Sequence, residues 1–285
     1  MMLTGKARVA GVMGWPVAHS RSPRLHGFWL DRYGIDGAYV PMAVRPERVA
    51  DAVRALPVLG FAGCNLTVPH KELVLPALDR IDPLARRIGA VNTVVVAPDG
   101  SLDGYNTDAF GFMESLREAA PEWRAAGGPA AIIGAGGAVR AIVVALQDAG
   151  VPEIRIVNRT RARAEALAAD LGAAGFGAIS VVDWADRARS LDGVNLLVNG
   201  TTQGMQGEPA LDLDLGVLPP AALVADIVYV PLVTPLLAAA SARGNPTVDG
   251  LGMLLHQARP GFERWFGRSP EVTPELRQFV LGSAA

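Results

Sequence analysis

The sequence contains almost no cysteine. Its 285 residues include a single one, Cys64, so no disulfide can form within the chain, which is typical of proteins from a reducing compartment. Cys64 lies in an apolar stretch, where a free cysteine behaves as a small core residue. The length is sufficient for one large α/β domain or for two smaller ones, with ample material for a core.

The chain also lacks an excess of positive charge. Its formal net charge is −2 and 19% of its residues are charged, whereas a nucleic acid or an anionic membrane would call for a basic excess. No apolar run of signal-peptide length occurs at the start, and Asp226, Pro231 and Pro235 interrupt the apolar stretch 221–240, which favours a strand, a turn and a helix start over a membrane span. We therefore expect a cytoplasmic protein whose partner is a small molecule, with neither nucleic acid nor membrane involved.

Strand and helix patterns alternate in the first third of the chain. Strands are predicted at residues 7–14, 38–44 and 60–68. The helix after the first strand is predicted to be capped by Ser22, with Pro23 at its first position. This βαβαβα order indicates a mostly parallel sheet, and a hairpin turn signal at Asp99-Gly100 would end a first domain near residue 107.

From residue 108 a helix and a Gly/Pro-rich joint lead into a second alternating series. Its strands are predicted at AAIIG, EIRIVN, AISVV, GVNLLVN and ALVADIV, with helices between them. A second parallel sheet follows. We expect an α/β protein of two domains, the first ending near residue 107 and the second starting at about 108, with a cleft between them.

The second series begins with a glycine-rich turn between a strand and a helix, the context of a dinucleotide-binding fingerprint. Gly134, Gly136 and Gly137 would let the backbone approach a pyrophosphate, whose charge is favoured by the N–H groups at the helix start. The sixth position of the fingerprint is Val139, where glycine or alanine is expected. Taken alone, such a turn can also be a packing device.

The end of the next strand indicates which dinucleotide would bind. NAD sites usually have an acidic residue there, whereas this chain has Asn158, Arg159, Thr160 and Arg163. Guanidinium groups pair with a 2′-phosphate, so NADP is favoured over NAD. The alternative is that Thr160 merely caps the following helix and the arginines are solvated.

NLTVPHK, residues 65–71, provides candidates for proton transfer. Strand alternation places Lys71 on the polar face with Asn65 and Thr67, and His70 on the apolar face, as a supporting or surface residue. If Pro69 opens a helix, the positive end of the helix dipole would disfavour the ammonium form of Lys71. A partner is available at the start of the helix after GYNTD, where Asp108 is either that partner or a simple helix cap.

With these motifs the chain resembles the shikimate dehydrogenase family. HSRSP, NLTVPHK, GAVNTV, GYNTD, GAGGA, NRT, DIVYVPLVTPLL and GLGMLLHQA occur in the family's order and approximate spacing. The resemblance implies reversible, NADP-linked reduction of 3-dehydroshikimate to shikimate on the route to chorismate and aromatic amino acids. It also implies a substrate-binding domain, 1–107 with C-terminal helices 250–285 packed onto it, and a Rossmann-like NADP-binding domain, 108–249.

The resemblance further implies roles for individual residues. Lys71 and Asp108 would be catalytic, and which of them formally takes the proton is left open. The implied substrate contacts are Ser20, Ser22, Thr67, Asn92, Tyr229 and Gln257. The implied cofactor contacts are Gly134, Ala135, Gly136, Gly137, Ala138, Asn158, Arg159, Thr160, Arg163, Ile227, Gly250 and Met253. No metal is implied, and either a monomer or a homodimer is expected.

Three positions depart from the family pattern. Arg21 stands where lysine is common, Val139 replaces a smaller residue, and residues 199–205 read NGTTQGM rather than the commoner NATSxGM, which we expect to alter contacts on the nicotinamide side. Two alternatives stay open: a quinate/shikimate dehydrogenase using NAD or NADP, and a non-catalytic ligand-binding regulator of the same fold. The presence of both Lys71 and Asp108 argues against the regulator.

Overall fold

The chain forms two compact α/β units, each built around a six-stranded sheet. The computed structural model describes residues 2–172 and 177–282. The first unit contains Met1–Asp108 and Leu254–Ala285, and the second contains Ala109–Met253. No helix among the described residues is long and apolar enough to span a membrane.

The first unit has a mixed sheet. Its strands are β1 (Arg8–Gly14), β2 (Gly37–Ala43), β3 (Phe61–Leu66), β4 (Arg80–Ile81), β5 (Thr93–Val96) and β6 (Leu102–Tyr105), and its helices up to this point are α1 (Ser22–Arg32), α2 (Val49–Ala55), α3 (His70–Leu73) and α4 (Pro83–Ile88). The strand order is β2-β1-β3-β5-β6-β4. β1 pairs in parallel with β2 and β3, whereas β5 is antiparallel to both β3 and β6. The predicted hairpin is present, and Gly100 in its turn has a φ of 82° that favours glycine.

Two local predictions in this unit were wrong. The N-cap of α1 is Arg21 rather than Ser22, because Arg21 already has helical backbone angles, and the Ser22 N–H donates to Oγ of Ser20 over 3.3 Å. Pro69 precedes α3 instead of opening it, and α3 is only four residues long. So short a helix aligns few peptide dipoles, which weakens the dipole argument for Lys71.

The second unit has the parallel sheet of a Rossmann fold. After α5 (Asp108–Ala119), its elements are β7 (Ala130–Ile133), α6 (Gly137–Asp148), β8 (Glu153–Val157), α7 (Arg161–Leu171), β9 (Ala178–Val182), β10 (Leu196–Asn199), β11 (Leu223–Asp226), α8 (Pro235–Ala242) and β12 (Thr247–Val248). The strand order β12-β11-β10-β7-β8-β9, with every pair parallel, is that of doubly wound dinucleotide-binding sheets.

The predicted helices between β9 and β10 and between β10 and β11 are absent. Two short 3₁₀ turns, Trp184–Asp186 and Arg189–Leu191, fill the first connection, and the second contains no helix. Glycine and proline recur through 200–222 and disfavour a continuous helix there. Leu211, Leu215 and Leu218 from this connection pack into the core in its place.

Two C-terminal helices complete the described chain, α9 (Gly250–Phe266) and α10 (Pro274–Leu281). In the first unit, Nε1 of Trp265 donates to the carbonyl oxygen of Val94 in β5 over 3.0 Å, which fixes α9 on the sheet. Nη1 of Arg21 donates to the carbonyl oxygens of Val280 (3.0 Å) and Leu281 (2.9 Å) at the end of α10. Arginine at position 21 therefore caps a helix C-terminus.

Candidate active site

A lysine and a carboxylate form the centre of a polar site in the first unit. Nζ of Lys71 donates to Oδ2 of Asp108 over 2.5 Å, and only 16% and 6% of the two side chains are exposed. Lys71 lies in α3, and Asp108 is the first residue of α5. A charge-assisted hydrogen bond in such a buried position is strong and holds both groups in one geometry.

Asn92 completes this centre. Its Nδ2 donates to Oδ1 of Asp108 (2.8 Å) and lies 3.0 Å from Oγ1 of Thr107 and 3.4 Å from Oε1 of Gln257. Its Oδ1 accepts from the backbone N–H of Thr107 over 2.8 Å, which determines which end of the amide faces Asp108. Four residues singled out from the sequence, Lys71 included, therefore lie in one hydrogen-bonded cluster.

A polar chain that the sequence did not predict leads to the same cluster. The hydroxyl of Tyr39 donates to Oδ1 of Asn65 (2.6 Å), Nδ2 of Asn65 donates to Oγ1 of Thr93 (3.1 Å), and that hydroxyl donates to Oδ1 of Asn92 (2.9 Å). Burial raises the pKa of Tyr39 well above its ordinary value, so its hydroxyl remains a donor. Asn65 and Thr93 are polar residues in apolar strands, a pattern that could have indicated them.

His70 lies in the interior. It is fully buried, Nε2 is 2.9 Å from the carbonyl oxygen of Val44, and burial lowers the pKa of its imidazole. It therefore supports the local structure, the first of the two predicted alternatives, and does not lie at the surface. Within NLTVPHK, the contact with a carboxylate is the one that Lys71 makes to Asp108.

The hydroxyl residues predicted to bind substrate lie at the ends of elements in the first unit. Ser20 and Ser22 flank the start of α1, and Thr67 directly follows β3. The Thr67 N–H donates to the carbonyl oxygen of Met13 over 2.9 Å. A Cβ atom on Gly14 would lie 2.5 Å from Cγ2 of Thr67, so glycine at position 14 leaves the room that Thr67 needs.

The glycine-rich turn lies in the second unit, between β7 and α6. Gly134 has a φ of 121°, and its N–H donates to the carbonyl oxygen of Val157 over 2.8 Å. β7 pairs with β8 on one edge and with β10 on the other, so the strand order reverses between β7 and β10. In open α/β sheets the ligand crevice lies outside the carboxyl ends of the strands at such a switch point.

Gly136 provides the test of whether this turn fits a pyrophosphate. It is the N-cap of α6, has ordinary extended backbone angles (φ −97°, ψ 178°), and a Cβ atom there would meet no atom within 4 Å. Neither backbone strain nor a neighbouring group of the protein therefore requires glycine. Open space in front of helical N–H groups is what a phosphate group needs, so the turn fits the cofactor.

The arginines after β8 differ in their partners. Arg161 is paired with Glu165 (2.7 Å) and Asp183 (2.6 Å). The exposed side chains of Arg159 and Arg163 make no ion pair with any residue that the structure describes. Thr160 is the N-cap of α7, but its side chain makes no cap hydrogen bond. Helix capping therefore does not explain why threonine stands at position 160. Nδ2 of Asn158 donates to the Thr160 carbonyl oxygen over 2.8 Å.

The other predicted cofactor residues follow β11 or begin α9. Gly250 lies against the backbone of Ile227 so closely that a Cβ atom there would overlap the Ile227 carbonyl oxygen. Met253, in the first turn of α9, is 8% exposed. Tyr229, predicted to contact substrate, lies three residues after the end of β11 and is half-buried in this second unit.

A buried carboxylate at the carboxyl edge of the second sheet was not predicted. Asp226 ends β11, and both of its oxygens lie 3.1 Å from Nδ2 of Asn199, which ends β10. It also accepts from the Val228 N–H (2.9 Å) and from Oγ1 of Thr234 (2.7 Å). Burial raises the pKa of Asp226. Polar residues ending two apolar strands were the available signal.

Comparison with known proteins shows the family of the chain. Three family models match the chain: a shikimate dehydrogenase substrate binding domain at residues 12–94, shikimate/quinate 5-dehydrogenase at 119–203, and a shikimate 5′-dehydrogenase C-terminal domain at 250–274. A protein of Paramagnetospirillum magneticum named shikimate dehydrogenase (NADP(+)) is 66% identical over 98% of this chain and 100% of its own length. The chain belongs to the shikimate dehydrogenase family.

Solved structures of this family share the fold. A shikimate 5-dehydrogenase of Thermus thermophilus in complex with NADP(H) and shikimate is 37% identical, with a TM-score of 0.84 over 96% of this chain and 98% of that one. A quinate dehydrogenase of Corynebacterium glutamicum in complex with NAD is 33% identical, with a TM-score of 0.89 over 96% and 99%. Members of the family with different substrates and cofactors therefore share this backbone.

Proposed function

We propose that the chain catalyses the reversible NADPH-dependent reduction of 3-dehydroshikimate to shikimate, a step toward chorismate and the aromatic amino acids. The observation that carries this proposal is the buried contact of Lys71 with Asp108, 2.5 Å between Nζ and Oδ2, in the unit matched by the substrate-binding model. A protein that only binds its ligand has no need of such a pair. The 66% identity with a relative named for this activity supports the same function.

Lys71 carries out the proton transfer in this proposal. When bound, NADPH supplies the hydride that reduces the substrate carbonyl carbon. The Lys71 ammonium group donates a proton to the carbonyl oxygen during reduction, and the neutral amine accepts the hydroxyl proton during oxidation. Asp108 holds Nζ in place and is itself held by Asn92 at 2.8 Å.

The first unit, Met1–Asp108 with Leu254–Ala285, binds the substrate in this proposal. Hydroxyl groups of Ser20, Ser22 and Thr67, joined by Tyr229, bind the carboxylate. The amides of Asn92 and Gln257 bind ring hydroxyls, since both lie in the hydrogen-bonded cluster around Asp108.

The second unit, Ala109–Met253, binds NADP in this proposal. The turn from Gly134 to Ala138 binds the pyrophosphate, and Arg159 and Arg163, with Asn158 and Thr160, bind the 2′-phosphate. The absence of an acidic residue after β8 supports NADP over NAD. Ile227, Gly250 and Met253 lie on the nicotinamide side. We further propose that the enzyme is cytoplasmic and is a monomer or a homodimer.

A quinate dehydrogenase that accepts NAD is the second candidate, because the C. glutamicum quinate dehydrogenase has the same fold at a TM-score of 0.89. Initial rates on shikimate and quinate, each with NADP and with NAD, separate the candidates. The proposal requires the highest kcat/KM for shikimate with NADP. A higher value for quinate with NAD would replace it with the second candidate, and no turnover under any of the four conditions would favour a binding protein.

A further inference from the structure

Two of the three departures from the family pattern lie against each other in the second unit. Val139 is the third residue of α6 and is fully buried. Gly200, in NGTTQGM, directly follows the end of β10. The two residues are remote in sequence, and each by itself has no evident reason to differ from the commoner pattern.

The contact between them explains why glycine stands at position 200. A Cβ atom there would overlap Cγ2 of Val139, and the next nearest atom is the Ile133 carbonyl oxygen at 3.3 Å. Gly200 is not among the glycines with positive φ, so its backbone conformation does not require glycine. The requirement is steric and comes from the valine. Conversely, a methyl group of Val139 fills the space that a side chain at position 200 would take.

The contact lies at the switch point of the sheet. The Gly200 N–H donates to the carbonyl oxygen of Ile133, the last residue of β7, over 2.8 Å. A Cβ atom on Gly134 would lie 3.0 Å from the Gly200 carbonyl oxygen and 3.2 Å from Cγ2 of Thr201. The turn after β10 therefore packs against both the glycine-rich turn and the first turn of α6, where the crevice of a doubly wound sheet opens.

We propose that Val139 and Gly200 are a coupled pair of positioning residues for the dinucleotide. A methyl group added at position 200 must displace Val139, and with it the first turn of α6, whose N–H groups would face the pyrophosphate. Removing the two methyl groups of Val139 leaves room for a methyl group at position 200. The inference rests on the proposed function, because it concerns the NADP site of the second unit.

A double-mutant cycle tests the pair. The variants are Gly200→Ala, Val139→Ala and the double variant, and Gly27→Ala is the control, because a Cβ atom at position 27 in α1 meets no atom within 4 Å. The measurements are the dissociation constant of NADP⁺ by calorimetry, the KM for shikimate, and Tm. If Val139 and Gly200 had only a structural role, Gly200→Ala would lower Tm, and the NADP⁺ affinity and the KM for shikimate would be affected alike.

Gly200→Ala is expected to weaken NADP⁺ binding by about tenfold or more, as overpacking of a rigid contact would. Val139→Ala alone should weaken it by less than about threefold, and the double variant should return to within about threefold of the wild type, because the two changes share one space. The KM for shikimate should change by less than about twofold in all variants, as in the control.

Two results would refute the proposed coupling of Val139 and Gly200. One is wild-type NADP⁺ affinity in Gly200→Ala, and the other is a double variant that binds NADP⁺ no better than Gly200→Ala. If Gly200→Ala does not fold, a double variant that folds and binds normally supports the coupling, and one that folds but binds weakly refutes it. Failure of the wild-type protein to bind NADP⁺ would instead refute the proposed function.

Discussion

Nζ of Lys71 lies 2.5 Å from Oδ2 of Asp108, although 37 residues separate them in the sequence. The second carboxylate oxygen of Asp108 accepts from Asn92 over 2.8 Å, so the lysine and the amide bind opposite ends of one carboxylate. This arrangement leaves Asp108 few alternative conformations. It therefore fixes the position from which Lys71 would exchange a proton with substrate.

Cofactor selectivity should depend on Arg159 and Arg163, which form no ion pair with the part of the chain that the structure describes. Replacing Arg159 and Arg163 together with alanine should raise the KM for NADP by about tenfold or more and leave the KM for NAD within about twofold, because each arginine can pair with the 2′-phosphate that NAD lacks. Arg161→Ala is the matched control, since Arg161 is paired with Glu165 and Asp183. Equal losses for both cofactors would place the two arginines outside the phosphate site.

Gly136 allows cofactor binding to be separated from folding. Gly136→Ala should weaken NADP⁺ binding by about tenfold or more, because its methyl group would occupy space that contains no protein atom within 4 Å and that the pyrophosphate needs. Alanine is a poorer N-cap than glycine, so Tm should fall by no more than about 5 °C. Calorimetry and thermal unfolding measure the two effects. Normal affinity would mean that the pyrophosphate binds elsewhere.

The polar chain that begins at Tyr39 should affect turnover moderately. Tyr39→Phe removes the donor to Asn65 and should lower kcat on shikimate by about two- to tenfold, the range of one neutral hydrogen bond. The effect stays moderate because the Thr107 N–H also holds Asn92, at 2.8 Å. Tyr33→Phe is the control, since its hydroxyl accepts only from the Glu271 N–H among the described contacts. Equal kcat values in the two variants would remove Tyr39 from the positioning of Asn92.

Acid stability should depend on His26. Neither nitrogen of its fully buried imidazole is hydrogen-bonded to a described residue. The ring is stacked on Tyr39 with ring centroids 3.9 Å apart, and burial lowers its pKa to about 3. Below pH 6.5 the unfolded chain binds a proton at His26 that the folded chain does not bind until about pH 3, so stability falls as the pH falls through this window. Above pH 6.5 the effect vanishes.

His26→Phe should remove this loss. Between pH 7 and pH 5 the free energy of unfolding of the wild type should fall by about 2 kcal/mol more than that of the variant. Urea unfolding at the two pH values measures the difference, which is independent of any constant change caused by the larger ring. An equal decrease in the free energy of unfolding of the two proteins would show that His26 is protonated in the folded state at pH 5.

The sequence predicted those features that depend on local patterns. Except for the two-residue strands β4 and β12, which were not predicted, the strands of both sheets follow from apolar runs between turn residues, and the glycine-rich turn and hairpin follow from their glycines. The residues that pair across the fold were harder to predict, because Tyr39, Asn65 and Thr93 reach Asn92 only after three strands have been aligned.

The prediction failed where tertiary packing replaced local preference. The connection from β10 to β11 packs Leu211, Leu215 and Leu218 into the core without forming a helix. The fit of Gly200 against Val139 also depends on the register of the sheet. Neither could be read from one sequence, because spacing along the chain does not specify which side chains meet.

The turnover of Lys71→Met on shikimate with NADP⁺ tests whether Lys71 transfers the proton. The chain contains only two lysines, so Lys6→Met, which removes the exposed one, is the matched control. We expect kcat to fall by about 10²-fold or more in Lys71→Met, the usual contribution of general acid–base catalysis, while the dissociation constant of NADP⁺ and the kcat of Lys6→Met stay at wild-type values. A Lys71→Met variant with the kcat of the wild type would contradict the account.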